Sequence, residues 1–246
     1  MKKLLILLIF LLFSFPLFAD AKNIVYNNSF DFQKIDSIDI SLTYENLKIS
    51  QIYGDEIVVE IGSNNKKKIP EVLLEQDELN CVLTIASTVK KSTLGNSCTV
   101  YLYLPQDFLA EHISISLVSG NLQSDILKAQ NALFIKNISG RTDISGCKTD
   151  YLSATAVSGN LTIQKIATGY FDINNTSGNI FLELENKLEA KSRVTSVSGK
   201  IQIYYKKDCF ASLAMTDKKN ESPFLDDSSE LLISTVSGKV ETVPFD

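Results

Sequence analysis

Tryptophan is absent, histidine occurs once, and only two of the 24 basic residues, Arg141 and Arg193, are arginine. Each scarcity removes a class of function. Nucleic-acid binding rests on clustered Lys and Arg contacts to phosphate, and a formal charge of −5 with two arginines argues against it. A catalytic histidine needs an orienting carboxylate and a nucleophile nearby. His112 has Glu111 beside it in sequence, but neighbours on a strand point to opposite faces. The four cysteines, at positions 81, 98, 147 and 209, have no Cys-x-x-Cys spacing, and no His/Cys cluster stands ready for zinc. The Gly-x-Ser-x-Gly nucleophile elbow and the Gly-Gly-x-Gly-x-Asp calcium repeat are missing too. The sequence therefore predicts no catalytic residue, no metal site and no cofactor.

Long apolar runs are equally scarce, with one exception. Lys2 and Lys3 precede an almost unbroken apolar stretch from Leu4 to Phe15, which Pro16 ends before Ala19-Asp20-Ala21. A basic start, a short apolar run and small residues are the marks of a cleavable signal peptide. The run is short for a membrane span, which needs about 20 apolar residues. Residues 1–21 are thus expected to be removed, taking two lysines and one aspartate and moving the formal charge from −5 to −6. No later stretch is long enough to span a membrane, so the expected product is an exported protein of the periplasm or cell surface.

What is present is a repeat. Ser-Gly recurs at Ser119-Gly120, Ser139-Gly140, Ser158-Gly159, Ser177-Gly178, Ser198-Gly199 and Ser237-Gly238, with glycine spacings of 20, 19, 19, 21 and 39. Self-similarity of this period signals a solenoid. Counted from each serine, uncharged and mostly apolar residues fall at minus six, minus four, minus one, plus three and plus five, as in Leu152, Ala154, Val157, Leu161 and Ile163. Steps of two are strand alternation, and the longer steps mark corners. Glycine suits the corner because it accepts a positive φ. The fold class predicted is all-β, a single-stranded β-helix or β-solenoid of about eight coils of ~20 residues with an inserted β-hairpin. One domain over residues 22–246 is expected, with the Ser-Gly rungs over about 111–246.

Two stretches depart from the pattern. Ile38, Ile40, Thr43, Leu47 and Ile49 keep the five offsets around Tyr44-Glu45, so the coil is expected to begin near residue 36. Residues 62–104 look like an excursion, in which 80–85 and 98–104 pair as a hairpin through a turn containing Gly95. Before Gly238 a degenerate rung is expected, with Phe210, Ser212 and Met215 facing inward ahead of Thr216-Asp217. A loop over about 218–229 would follow it.

The pattern resembles the DUF4097-like family of bacterial exported, adhesin-type Ser-Gly-repeat domains of unknown function. The matching segments are Ala156 to Leu161, Asn175 to Ile180, Ser196 to Ile201 and Thr235 to Val240, with Gly54 to Glu60 and Leu104-Pro105. The resemblance implies a β-solenoid at the envelope or surface and carries no site residues.

The remaining candidates lie on the surface. The residue after each Ser-Gly runs Asn121, Arg141, Asn160, Asn179, Lys200 and Lys239, with Asn46 and Lys218 at the degenerate corners. Stacked asparagines can hydrogen-bond along a solenoid, and Lys200, Lys218 and Lys239 form either a solvated edge or an anion-binding strip. Asp125, Asp143, Asp150 and Asp172 lie on consecutive rungs at different offsets, so they do not make the paired carboxylates of a glycosidase. Cys81 and Cys98 would face each other in the hairpin as a disulfide, whereas Cys147 and Cys209, three rungs apart, are ~14 Å from each other along the axis. The functional expectation is a non-enzymatic binding protein of the envelope with a protein or glycan ligand. The alternatives are a structural periplasmic scaffold and a carbohydrate-active β-helix enzyme. An exposed apolar or aromatic strip would mark adhesion, and converging carboxylates an enzyme.

Overall fold

The computed structural model describes residues 23–76, 80–88, 97–210, 212–217 and 231–246. The signal-peptide segment, Gly95, Lys218 and the 218–229 loop lie outside them. Within the described residues the single helical turn is a 3₁₀ turn at Phe32–Lys34, and fifteen strands form one continuous sheet. In chain order these are β1 (Ile24–Asp31), β2 (Ser37–Leu42), β3 (Asn46–Ile52), β4 (Glu56–Ser63), β5 (Glu71–Gln76), β6 (Cys81–Ala86), β7 (Cys98–Pro105) and β8 (Ala110–Leu117). The second half comprises β9 (Leu122–Ser139), β10 (Thr142–Ser158), β11 (Leu161–Ser177), β12 (Ile180–Leu184), β13 (Ser192–Lys206), β14 (Leu213–Asp217) and β15 (Leu231–Phe245).

The repeat folds as parallel coils. Each long strand runs along one face, rounds a corner and returns along the other. Leu122, Thr142, Leu161, Ile180 and Ile201 stack in register on one face, which we call face B. Ile38, Ile113, Leu133, Leu152 and Phe171 stack on the opposite face A. Alternation turns these side chains into one shared core, where Ile163, Leu182, Ile201 and Ile203 have no more than 1% of their surface exposed. Burying a Leu or Ile side chain contributes about 1.5–3 kcal/mol, so the columns supply most of the cohesion.

Glycine is required at the Ser-Gly corner for a reason beyond its dihedrals. Gly140, Gly159, Gly178 and Gly199 do adopt positive φ, between 121° and 148°. In addition, each glycine lies directly on the corner below. A methyl group on Gly159 would stand 1.9 Å from the Gly140 carbonyl oxygen, and one on Gly178 would stand 2.1 Å from that of Gly159. The first coil, β2–β3, has no glycine at its corner. There the buried Glu45 carboxylate gathers the Thr43 and Tyr44 amides at 3.0 and 2.9 Å and the Ser87 hydroxyl at 2.6 Å.

Three expectations need correction. First, the minus-one residue faces outward. Alternation continues unbroken through minus two, burying Leu117, Asn137, Ala156, Asn175, Ser196 and Thr235. Val118, Ile138, Val157, Val197 and Val236 are left 38–45% exposed.

Second, the hairpin over 62–104 does not form. β6 pairs with β2 in parallel on face A and antiparallel with β5, while β7 pairs with β3 in parallel on face B and antiparallel with β4. β6 and β7 thus add another layer of parallel strands outside β2–β3, and β1, β4 and β5 finish that end with antiparallel strands.

Third, the degenerate rung is not inserted where its sequence position suggests. β15 stacks on β13 with Gly238 over Gly199, and β14 attaches outside β15 with Leu213 opposite Leu231. Met215, expected inside, is 45% exposed.

Candidate binding faces

On face A the outward residues lie at odd offsets before each serine. The minus-one residues Val118, Ile138, Val157, Thr176, Val197 and Val236 follow one another through the strand register. They make a β-branched ridge along the Ser-Gly corner, and five steps at the ~4.8 Å strand spacing make it ~24 Å long. Toward the opposite corner of this face stand three aromatic rings. Phe134 meets Tyr151 edge-on at 5.9 Å, and Tyr151 stacks on Tyr170 at 4.7 Å. Phe134 and Tyr170 are each 42% exposed. Between ridge and rings runs the minus-three column Ser116, Lys136, Thr155, Asn174, Thr195 and Ser234, short polar side chains interrupted by one exposed lysine. A shallow recess of about 390 Å³ opens beside Phe134, where Ser114 and Ser153 are its small neighbours.

Face B is more polar. Its larger recess, about 560 Å³, is walled by Gln123, Arg141, Gln164 and Phe181 over the shorter Ser145 and Thr162. The Arg141 Nε lies 2.5 Å from a carboxylate oxygen of Asp143. Phe181 packs against Tyr204 with ring centroids 5.3 Å apart.

The asparagines after Ser-Gly form a ladder. The side-chain oxygen of Asn46 accepts the Asn121 amide, and that of Asn121 accepts the Arg141 amide, at 3.0 and 2.9 Å. The side-chain oxygens of Asn160 and Asn179 likewise accept the Asn179 and Lys200 amides, both at 3.0 Å. Arg141 and Lys200 end these runs because neither carries an acceptor. Lys200 and Lys239 stack in register, but Glu241 accepts an ion pair from Lys200 at 2.7 Å. That contact, and more weakly Lys239, holds the Glu241 carboxyl below the usual range. The described part of the lysine strip is therefore partly neutralised.

The four aspartates do not converge. Asp125 and Asp143 lie on face B, Asp150 at the far corner and Asp172 on face A, where it accepts a 2.9 Å hydrogen bond from Asn174. His112 is exposed on β8 beside Ser37, and no carboxylate is hydrogen-bonded to its ring among the described residues. The described residues contain no group of three or more His, Cys, Asp or Glu arranged to hold a metal ion.

All four thiols are buried and free. Cys81 sits by Asp36, whose carboxylate accepts its amide at 2.7 Å, whereas Glu45 acts on Cys98. Asp36 and Glu45 flank the ends of β2, so the two thiols are separated by roughly 17 Å of strand, beyond the ~7 Å Cα limit of a disulfide. Burial first, then the Glu45 charge, pushes the Cys98 thiol up to about 11, and burial alone pushes Cys147 up to about 12. Cys147 and Cys209 are separated by two intervening strand positions, Ile166 and Leu184, the second of which accepts the Cys209 thiol at 3.5 Å.

The ridge on face A was hidden in the sequence by its own apolarity. Val or Ile at five of the six minus-one positions imitates a core column, while the inner minus-two column mixes Leu, Asn, Ala, Ser and Thr. The signal available was strict two-residue alternation from minus six, which leaves minus one no choice but to face out.

Among known proteins, the solved structures that align with 89% of this chain include the following three. One is a candidate cell adhesion protein from Clostridium sporogenes, at 12% identity and TM-score 0.44 over 99% of that chain. Another is a candidate adhesin from Bacteroides fragilis, at 12% identity and TM-score 0.45 over 96% of that chain. The third is a candidate lipid-binding protein from Parabacteroides distasonis, at 11% identity and TM-score 0.35 over 96% of that chain. No curated protein matches significantly. Residues 35–219 match the profile of one domain family, and on that match the chain belongs to the Toastrack DUF4097 family.

Proposed function

We propose that this is a non-enzymatic, adhesin-like protein, exported with loss of residues 1–21, that binds a protein or glycan of the cell envelope through an extended sheet face. The observation that carries this reading is the strip on face A, where an apolar ridge and the rings of Phe134 and Tyr170, with half-buried Tyr151 stacked between them, face solvent along successive coils. Monomeric proteins seldom leave large contiguous apolar patches uncovered without an interaction to serve. Aromatic residues of this kind anchor interfaces at low entropic cost. The aspartates, spread over two faces and a corner, support a binding role over carboxylate-pair hydrolysis. A purely structural scaffold has no use for the exposed rings. No described helix is long and apolar enough to cross a membrane.

Cell fractionation with N-terminal sequencing tests the first half of this reading. The chain is expected outside the cytoplasm, beginning near Lys22. Beads coated with the purified protein are expected to attach to isolated envelopes. A cytoplasmic, unprocessed chain would overturn the reading.

A further inference from the structure

We infer that the face B recess between β9 and β12 is a binding site for a neutral saccharide, distinct from the face A strip and argued independently of it.

The recess arises from side-chain length in stacked columns. Gln123, Asp143, Thr162 and Phe181 occupy one outward column, each one coil above the last. Ser145 and Gln164 are neighbours in the next column, two residues further along their strands. The short Ser145 and Thr162 form a floor, and longer side chains stand around it. The opening of about 560 Å³ falls within the roughly 300–1,000 Å³ of small-molecule sites.

The lining selects the ligand class. The Asp143 carboxylate accepts, Arg141 donates, and the amides of Gln123 and Gln164 and the hydroxyl of Thr162 do both. Among the described residues the side chains of Gln123, Thr162 and Gln164 make no hydrogen bonds to protein groups. The Arg141 contact to Asp143 runs through Nε, leaving its terminal nitrogens available. Vicinal hydroxyls, each donor and acceptor at once, match that mixture. Phe181 adds a single apolar wall for the C–H face of a sugar ring.

Other classes fit less well. A peptide strand needs an open backbone edge, but β9, β10 and β11 are paired on both sides here. An acyl chain needs more than one apolar wall. An anion would meet an arginine already balanced by a carboxylate at 2.5 Å.

The test is an array of neutral oligosaccharides ending in glucose, galactose, mannose or N-acetylglucosamine, printed beside sulfated and phosphorylated ones and probed with the purified protein. Retention of neutral glycans is expected. Thr162→Arg, which fills the floor from a partly exposed position, should lower that binding at least tenfold with unchanged melting. Should that variant fail to fold, the exposed pair Gln123→Ala and Gln164→Ala gives the same readout. Asp143→Ala should shift preference toward the sulfated and phosphorylated glycans, because it unmasks Arg141. The inference is overturned if no neutral glycan is retained, if the wild type prefers anionic glycans, or if the recess variants bind as the wild type does. Attachment lost only in face A variants bears on the adhesin-like reading and leaves this outcome separate.

Discussion

Replacing Gly178 with alanine tests the stacking of corners that defines this solenoid. The new methyl group would stand 2.1 Å from the Gly159 carbonyl oxygen and 2.7 Å from its carbon, inside the 3.0 Å that real Cβ contacts respect. The obstacle is backbone, so no rotamer change relieves it, and the coils must part. Parting loosens the Gly159 amide bond to the Ser177 carbonyl at 3.1 Å, and the Asn175 side-chain bond to the Gly159 carbonyl at 3.2 Å. Two costs add. A non-glycine residue at a φ of 121° costs about 1–3 kcal/mol, and the forced overlap about 1–3 kcal/mol more.

Gly54 separates the two costs. Its φ is 139°, but nothing lies within 4 Å of the position its Cβ would take. Gly54→Ala should therefore show only the dihedral cost. Urea unfolding followed by far-ultraviolet circular dichroism gives both free energies from midpoint and slope. Gly178→Ala should be the less stable of the two by about 1–3 kcal/mol. Equal destabilisation of the two variants would refute glycine-on-glycine stacking.

Three further outcomes follow from the burial pattern. Ile180→Asp, at 1% exposure, should cost several kcal/mol as an unpaired buried charge, whereas Val157→Asp on the ridge should stay within about 0.5 kcal/mol of wild type; urea midpoints that fail to separate the two would contradict the inward and outward assignment. Ser124→Ala should raise stability by about 1 kcal/mol, because the Ser124 hydroxyl is buried without a partner in a column between Ile49 and Ile144. An unchanged or lowered melting temperature would count against that accounting. The buried thiols set an alkaline limit. Cys147 keeps its proton in the fold up to about 12, while the unfolded chain releases it near 9.0. Above that lower value the unfolded state binds fewer protons, so stability is whole at neutral pH and falls as pH rises through this window. Melting temperatures at pH 8 and pH 10 check the sign, and Cys147→Ala should flatten the fall.

The coil was legible in the sequence because its rules are local. Ser-Gly spacing and two-residue alternation placed Leu161, Ile163, Ile180 and Ile203 in the core, and the structure keeps them there. The asparagine ladder was readable for the same reason, since Asn160 and Asn179 occur one repeat apart. What escaped was non-local. Whether β6 and β7 pair with each other or with β2 and β3 depends on which edges the first coil leaves open, and no residue in 80–104 records that. The skip of β15 past β14 is a choice between two candidate strands for one edge. Gly238 settles it, because only a glycine fits over Gly199: a methyl group there would stand 2.3 Å from the Gly199 carbonyl oxygen. The face B recess was invisible because it depends on side-chain length across four coils, not on any motif within one.

Attachment of coated beads to isolated envelopes, compared between the wild type and a Val157→Lys, Val197→Lys double variant of equal melting temperature, tests the role of the face A strip most directly. Both valines are 42–45% exposed and lie on the same ridge with only Thr176 between them, so the substitutions change the surface and spare the core. The account predicts a fall in attachment of at least tenfold. Undiminished attachment by the folded double variant would contradict it.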